Sequence, residues 1–428
     1  MNLRRRALLA AAIAVPVTLL AIARPQRRGG AHDDYFLGLQ AALREAGLFR
    51  PTLVIDLARL THNLQRLKAR LPANKRFRAV AKSLPSLPLL KLVCDYMHTD
   101  RLMLFHQPHL NLVATRMPGA QLLLGKPLPA GAAKRFFAEH RPGPFQPDRQ
   151  IEWLVDTPQR LAEYRELAPT AAAGGRLRLN LEIDVGLHRG GFRSARDVAE
   201  AIRAAPALEF SGLMGYEAHA AKMPEALGGV RGALAQAMAF YAECVDAARL
   251  AIGEAFDPGA LTLNAGGSNT YAYYDESAPC NELAIGSGLV KPTDFDTPGL
   301  AEHLPASFIA TPVLKALDRT EIPGLERAAG LMRAWDPNTA RAFYLYGGYW
   351  LADPVSPPGL QRNALWGHST NQDLLNGSVD VRLGVGDHVF FRPHQSESVF
   401  LQFGDIAVYD AGRITAAWHV FPEGGSAG

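Results

Sequence analysis

Arg176-Leu177-Arg178-Leu179-Asn180-Leu181-Glu182-Ile183-Asp184-Val185 alternates polar and apolar residues without a break. Successive side chains of a strand point to opposite faces, so this stretch reads as a strand with two chemically different faces. Outward from it, short strand-like runs alternate with helical stretches. Upstream stand Leu53–Asp56, Phe77–Ala81, Leu102–Phe105, Gln121–Leu124 and Ile151–Val155, and downstream Leu208–Met214 and Leu261–Asn264. Helical segments fall between them at Leu60–Leu71, Leu87–Met97, Gly131–His140 and Gly232–Ile252, whereas Leu102–Phe105 leads into a short connection. Eight or nine such strands within residues 50–300 fit an α/β fold, a (β/α)8 TIM barrel. In that fold functional groups collect where strands end and loops begin.

After about residue 300 the texture changes. Pro and Gly become frequent, helical periodicity fades, and strands are predicted at Ala342–Leu345, Asp387–Phe391, Val399–Phe403, Ile406–Tyr409 and Thr415–Val420. Residues 301–428 therefore read as a second, mostly β C-terminal domain. A chain of 428 residues is too long for one compact core, which agrees with two domains.

Lysine plus arginine exceed aspartate plus glutamate by 45 to 41, and part of the excess lies in the first 28 residues. The remaining body is close to neutral, which argues against nucleic acid as a partner. The odd, widely spaced Cys94, Cys244 and Cys280 form no disulfide framework and no zinc spacing. Residues 1–30 read as an export signal or membrane anchor: Arg4-Arg5-Arg6 precedes a 17-residue apolar stretch, Ala7–Ala23, that ends in a small-x-small site. The signal is of the twin-arginine kind, with an uncleaved anchor and a cytoplasmic protein as the alternatives. Any contact with a membrane is expected only through this segment.

Lys82 follows the apolar run Phe77–Ala81 and precedes the loop-like Ser83-Leu84-Pro85. A lysine there projects its amine into the mouth of a barrel, where desolvation favours a nucleophile toward carbonyls. Alone it is more simply a solvated surface charge. Four other strand ends change that balance: Asp184-Val185-Gly186-Leu187-His188-Arg189-Gly190-Gly191-Phe192, Gly215-Tyr216-Glu217-Ala218-His219, Asn264-Ala265-Gly266-Gly267-Ser268-Asn269-Thr270-Tyr271 and Asn281-Glu282-Leu283-Ala284-Ile285-Gly286-Ser287-Gly288. Glycine turns with a hydroxyl can aim backbone N–H groups at a phosphate, and this fold often builds such a site late in its sequence. Each turn alone reads first as a plain tight turn, Arg189 as a surface charge and His219 equally as a core histidine. Together they offer an amine for a Schiff base, a phosphate cradle and polar groups for a ring nitrogen.

As an ordered set, RAVAKS around Lys82, DVGLHRGGF around Arg189, GYEAH, AGGSNTY and NELAIGSG resemble the fold-type III pyridoxal phosphate enzymes, within them the D-threonine aldolase and D-serine dehydratase-like group. The resemblance spans roughly residues 50–420. It implies an alanine racemase-type barrel, a D-serine dehydratase-like β domain, pyridoxal 5'-phosphate, an amino acid substrate and a homodimer. It makes Lys82 the Schiff-base lysine and sets Arg189 against the pyridine nitrogen. It assigns Gly266, Gly267, Ser268, Gly286 and Ser287 to the phosphate, and Tyr216 and His219 to the cofactor and substrate. His219 is then a candidate base for a substrate hydroxyl.

The sequence departs from the group in the second domain. A metal-binding H-x-C or H-x-D is common there, yet this chain has His394-Gln395-Ser396, and serine is a poor ligand at neutral pH. No metal ligand is assigned, a divalent metal stays open, and His394 and His368 become candidate substrate-binding residues. The implied activity is a lyase acting on a β-hydroxy D-amino acid. Aldol cleavage would use His219 as base, and dehydration would use Lys82 as the base toward Cα. The alternatives are an amino acid racemase, a non-catalytic pyridoxal phosphate carrier and a barrel hydrolase whose glycine loops bind a substrate phosphate.

Overall fold

A computed structural model describes residues 24–171, 177–321, 324, 326, 329–363 and 366–422. Of the expected signal or anchor, residues 1–30, the first 23 lie outside the described residues. Among these residues no helix is long and apolar enough to cross a membrane.

Two compact units divide the chain. The larger contains a closed barrel of eight parallel strands: β2 (Arg76–Val80), β3 (Arg101–Leu104), β4 (Gln121–Leu124), β5 (Ile151–Val155), β6 (Arg178–Ile183), β7 (Glu209–Gly215), β8 (Thr262–Ala265) and β9 (Glu282–Ile285). The alternating stretch became β6, with Leu179, Leu181 and Ile183 buried as well as Asn180 and Glu182. Of the polar residues it buries, Asn180 donates from Nδ2 to Glu152 Oε2 at 3.2 Å and to the Thr262 carbonyl at 3.0 Å. Closure comes where β2 pairs with β9, with Phe77 opposite Leu283. There the fully buried Arg78 pairs with the fully buried Glu282, which also takes Arg101 at 3.1 Å and Asn264 Nδ2 at 2.8 Å.

Three expectations within this unit change. Leu53–Asp56, expected to open the barrel, lies in β1 (Thr52–Asp56), which stands beside β10 (Ser307–Leu317) in the other sheet. The eighth barrel strand is instead β9, inside the segment read only as a small-residue turn. The short connection after β3 is a helix, Gln107–Arg116, opened by Pro108 in its first turn.

The smaller unit is mostly β. Strand β10 pairs antiparallel with β11 (Arg341–Leu345) and with β15 (His388–Pro393). Outward of these, β14 (Leu374–Gly377) pairs with β11 and β13 (Gln361–Arg362), and β12 (Ala352–Ser356) with β15. The remaining strands, β16 (Asp405–Asp410) and β17 (Arg413–His419), extend the order to β13-β14-β11-β10-β1-β16-β17. The helix Asp34–Glu45 is capped by Asp33, whose side chain accepts from Phe36 N at 2.9 Å. Phe36 then packs 4.8 Å from Phe390. In the larger unit, Val399–Phe403, expected as a strand, overlaps the helix Glu397–Leu401, which buries Val399 and Phe400. So short a stretch, apolar but for Gln402, does not distinguish the two states by periodicity.

Candidate active site

The C-terminal ends of the barrel strands surround a cavity of about 590 Å³ of empty space, counted with its open mouth. Most of the residues proposed from the sequence meet there. Lys82 and Ser83 follow β2, Arg189 comes from the loop after β6, Tyr216 follows β7, Gly266, Gly267 and Ser268 follow β8, and Gly286 and Ser287 follow β9. Met103, Phe105, Met214 and Phe295 supply apolar wall, and Glu397 completes the lining with a carboxylate.

Lys82 lies on a single 3-10 turn, Ala81–Ser83, so the strand end delivers its stem to the cavity wall. Its Nζ stands 2.7 Å from Glu397 Oε1 and 4.7 Å from the centre of the Phe105 ring. Both charged side chains are about one third exposed, at 37% and 34%. Arg189 sits 5.4 Å from the centre of the Tyr216 ring, a cation over an aromatic face. Burial raises the Tyr216 phenol above its ordinary range, with Glu217 adding to the rise and Arg189 opposing it. The buried Glu182 carboxyl is pushed up to about 6 by desolvation, against the pull of Arg189.

The glycine turns are held from behind. Fully buried Glu217 accepts from Gly266 N at 3.2 Å and from Thr270 Oγ1 at 2.6 Å. Gly266 has φ +79°, a backbone state that suits glycine. At Gly267 a Cβ would stand 2.9 Å from the Tyr216 ring, so the absent side chain keeps the wall open. Ser268 Oγ accepts from Gly288 N at 2.8 Å and Gly286 N at 3.4 Å, and Ser287 Oγ is 2.9 Å from Ser83 Oγ. Hydroxyls and backbone donors from β2, β8 and β9 thus converge on one wall.

His303, which the sequence reading passed over, locks two of these loops together. Its Nδ1 is 2.8 Å from the Gly288 carbonyl and its Nε2 is 2.6 Å from the Tyr271 hydroxyl. The carbonyl only accepts, so Nδ1–H donates and Nε2 accepts from the phenol. Burial holds this imidazole down to about 4.

Three proposed residues are placed differently. His219 follows β7 on the 3-10 turn Ala218–Lys222, beside Gly186, with Nδ1 buried and without a hydrogen-bond partner. It is not among the side chains that line the cavity. His368 belongs to the smaller unit, stacked 4.5 Å from Tyr349 and 3.9 Å from Asp373. His394 belongs to the larger unit, where its carbonyl accepts from Asp294 N at 3.2 Å. Ser396 is fully buried, and among the described residues no three His, Cys, Asp or Glu side chains group as a metal site. The sequence reading gave Glu397 no role toward Lys82, because the two are 315 positions apart and no local pattern joins them.

Residues 55–293 match the family described as alanine racemase, N-terminal domain. The chain belongs to that family. No curated protein matches the chain. Among solved structures it is similar to D-threonine aldolase from Filomicrobium marinum, with TM-score 0.64 and 17% identity over 87% of this chain and 95% of that one. It is also similar to D-threo-3-hydroxyaspartate dehydratase from Delftia sp. HT23, with TM-score 0.62 and 17% identity over 86% and 97% of the chains. A third is alanine racemase from Bacillus anthracis, with TM-score 0.63 and 12% identity over 87% and 98%. At such identities these likenesses establish the fold, that of the fold-type III pyridoxal phosphate enzymes.

The alanine racemase N-terminal family implies pyridoxal 5'-phosphate as cofactor and an amino acid as substrate. The residues present fit that group. A lysine amine opens on the cavity, glycine turns free of Cβ atoms form one wall, and buried serine hydroxyls lie against them.

Proposed function

We propose that this protein is a pyridoxal phosphate-dependent lyase acting on a β-hydroxy D-amino acid, with loss of water the favoured reaction. The observation that carries the reading is the meeting of Lys82 Nζ and the Glu397 carboxylate at 2.7 Å, in a cavity walled by the glycine turns after β8 and β9. Dehydration needs a base at one carbon and a proton for the oxygen leaving the next, and this pair offers both. When bound, pyridoxal phosphate supplies an electron sink for the carbon next to the substrate amine.

The chain's own groups then divide the work. Lys82 is the nucleophile toward the cofactor aldehyde and afterwards the base toward Cα. Gly266, Gly267, Ser268, Gly286 and Ser287 would hold the phosphate, and Arg189, always charged, would be the group set toward the ring nitrogen, where it would disfavour protonation. Tyr216, packed under Arg189, fixes that guanidinium. His394 lies three residues before Glu397 and takes part in seating the substrate. The basic and apolar segment before Arg24 adds export to the proposal, checked by cell fractionation and N-terminal sequencing.

Purified protein with pyridoxal phosphate is expected to show the absorption of a Schiff base. Borohydride should trap the cofactor on the Lys82 peptide, and Lys82→Ala should abolish both signals. Pyruvate from D-serine or 2-oxobutyrate from D-threonine supports dehydration. Glycine with an aldehyde selects aldol cleavage, the opposite enantiomer selects racemisation, and a bound cofactor with no product selects a carrier.

A further inference from the structure

We propose that Glu397 is the acid that protonates the departing β-oxygen, fed by the proton that Lys82 collects. The inference rests on the lyase reading above and deepens it. Among the described residues that line the cavity, Glu397 is the only carboxylic acid; the charged or titratable groups sharing the wall with it are Lys82, Arg189 and Tyr216. Glu182 and Asp156, near the ends of β6 and β5, lie outside the cavity lining, and three further barrel acids have partners of their own. Glu217 is fully buried and accepts from Gly266 N and Thr270 Oγ1, and Glu282 is enclosed by Arg78 and Arg101. Asp184 accepts from His188 N at 2.8 Å and pairs with Arg193 at 3.3 Å.

An ammonium and a carboxylate together hold the same protons as a neutral amine and a carboxylic acid. Across 2.7 Å the proton can pass either way. In the step, Lys82 Nζ takes the proton from Cα and the C–H electron pair becomes the new C=C bond. The C–O bond breaks with its pair on oxygen, to which the Glu397 carboxylic acid gives its proton, and water leaves. The ammonium on Lys82 then returns a proton to Glu397, restoring the pair. No outside oxidant or reductant enters. The helix Glu397–Leu401 holds the acid in place through the buried Val399 and Phe400.

The discriminating experiment compares leaving groups in reconstituted holoenzyme, because chloride departs without a proton and hydroxide does not. In Glu397→Gln the ratio of pyruvate formation from β-chloro-D-alanine to that from D-serine should rise by about 100-fold or more, the span of one general acid. Glu397→Asp, which keeps an acid, should fall between the variant and the wild type. A second readout uses the cofactor-free protein: loss of the carboxylate should speed reductive alkylation of Lys82 by a small aldehyde, followed by peptide mass. An equal fall on both substrates in Glu397→Gln, or an unchanged alkylation rate, overturns the inference while leaving the lyase reading intact. A wild type that forms no pyruvate from either substrate overturns both.

Discussion

At the scale of single residues, the cavity depends as much on what is missing as on what is present. Gly267 leaves room that a methyl group would fill, 2.9 Å from the Tyr216 ring, and its backbone does not need the left-handed region. Gly267→Ala is therefore expected to fold normally but to push Tyr216 and weaken cofactor binding about tenfold, roughly 1.4 kcal/mol, read by fluorescence titration with pyridoxal phosphate. Glu182 offers a second test. Its carboxyl is pushed up to about 6 from 4.5, so the folded state favours the protonated form; that contribution is fully present below pH 4.5 and is lost as pH rises through 6. Glu182→Gln should remove that pH dependence and hold stability above pH 6, measured as the urea midpoint against pH. Lys82, Arg189, Tyr216 and the glycines are brought together from motifs visible in the chain. Glu397 was not legible as their neighbour, because what brings it to Lys82 is tertiary packing.

Elements repeat that lesson. Helices with a clear apolar stripe are legible almost to the residue, as Leu87–Met97 and Gly229–Ile252 show. Short, buried strands are legible less evenly: Ile151–Val155 matches to the residue, and two others do not. Leu53–Asp56 and Glu282–Ile285 carry no periodicity that says which sheet they join, so one was given to the barrel and the other was read as a turn. What decides for β9 is charge: Glu282 at its first position is tolerated in the interior because Arg78 on β2 and Arg101 on β3 enclose it. Glu282→Gln would leave two buried or half-buried guanidinium groups short of a counter-charge at the seam that closes the barrel. We expect a loss of about 3–5 kcal/mol, the cost of breaking a buried ion pair, seen as a lower urea midpoint with an unchanged slope.

For the whole molecule, pH is the variable on which neutral histidines act together. His109, packed 4.6 Å from Phe421, and His303, bonded to Tyr271 and Gly288, are both held down to about 4 by burial. In the smaller unit, burial also lowers His32 and His388. A histidine whose folded pKa is depressed binds protons more readily when unfolded; its contribution is complete above pH 6.5 and is lost as pH falls from 6.5 through 4. His109 and His303 contribute about 3 kcal/mol each over that window, against roughly 2 kcal/mol in the opposite sense from Glu182. The histidines win, and stability should fall on acidification. His303 reports most directly on function, because charging its Nε2 breaks the bond accepted from Tyr271 and loosens the turn beside Gly288. The cofactor should therefore leave before the fold is lost as pH drops from 6.5 toward 4. His303→Gln should flatten the pH dependence of cofactor retention, whereas His109→Gln should flatten that of unfolding alone. Equal effects of the two variants on retention would show that the cavity is lost only with the fold.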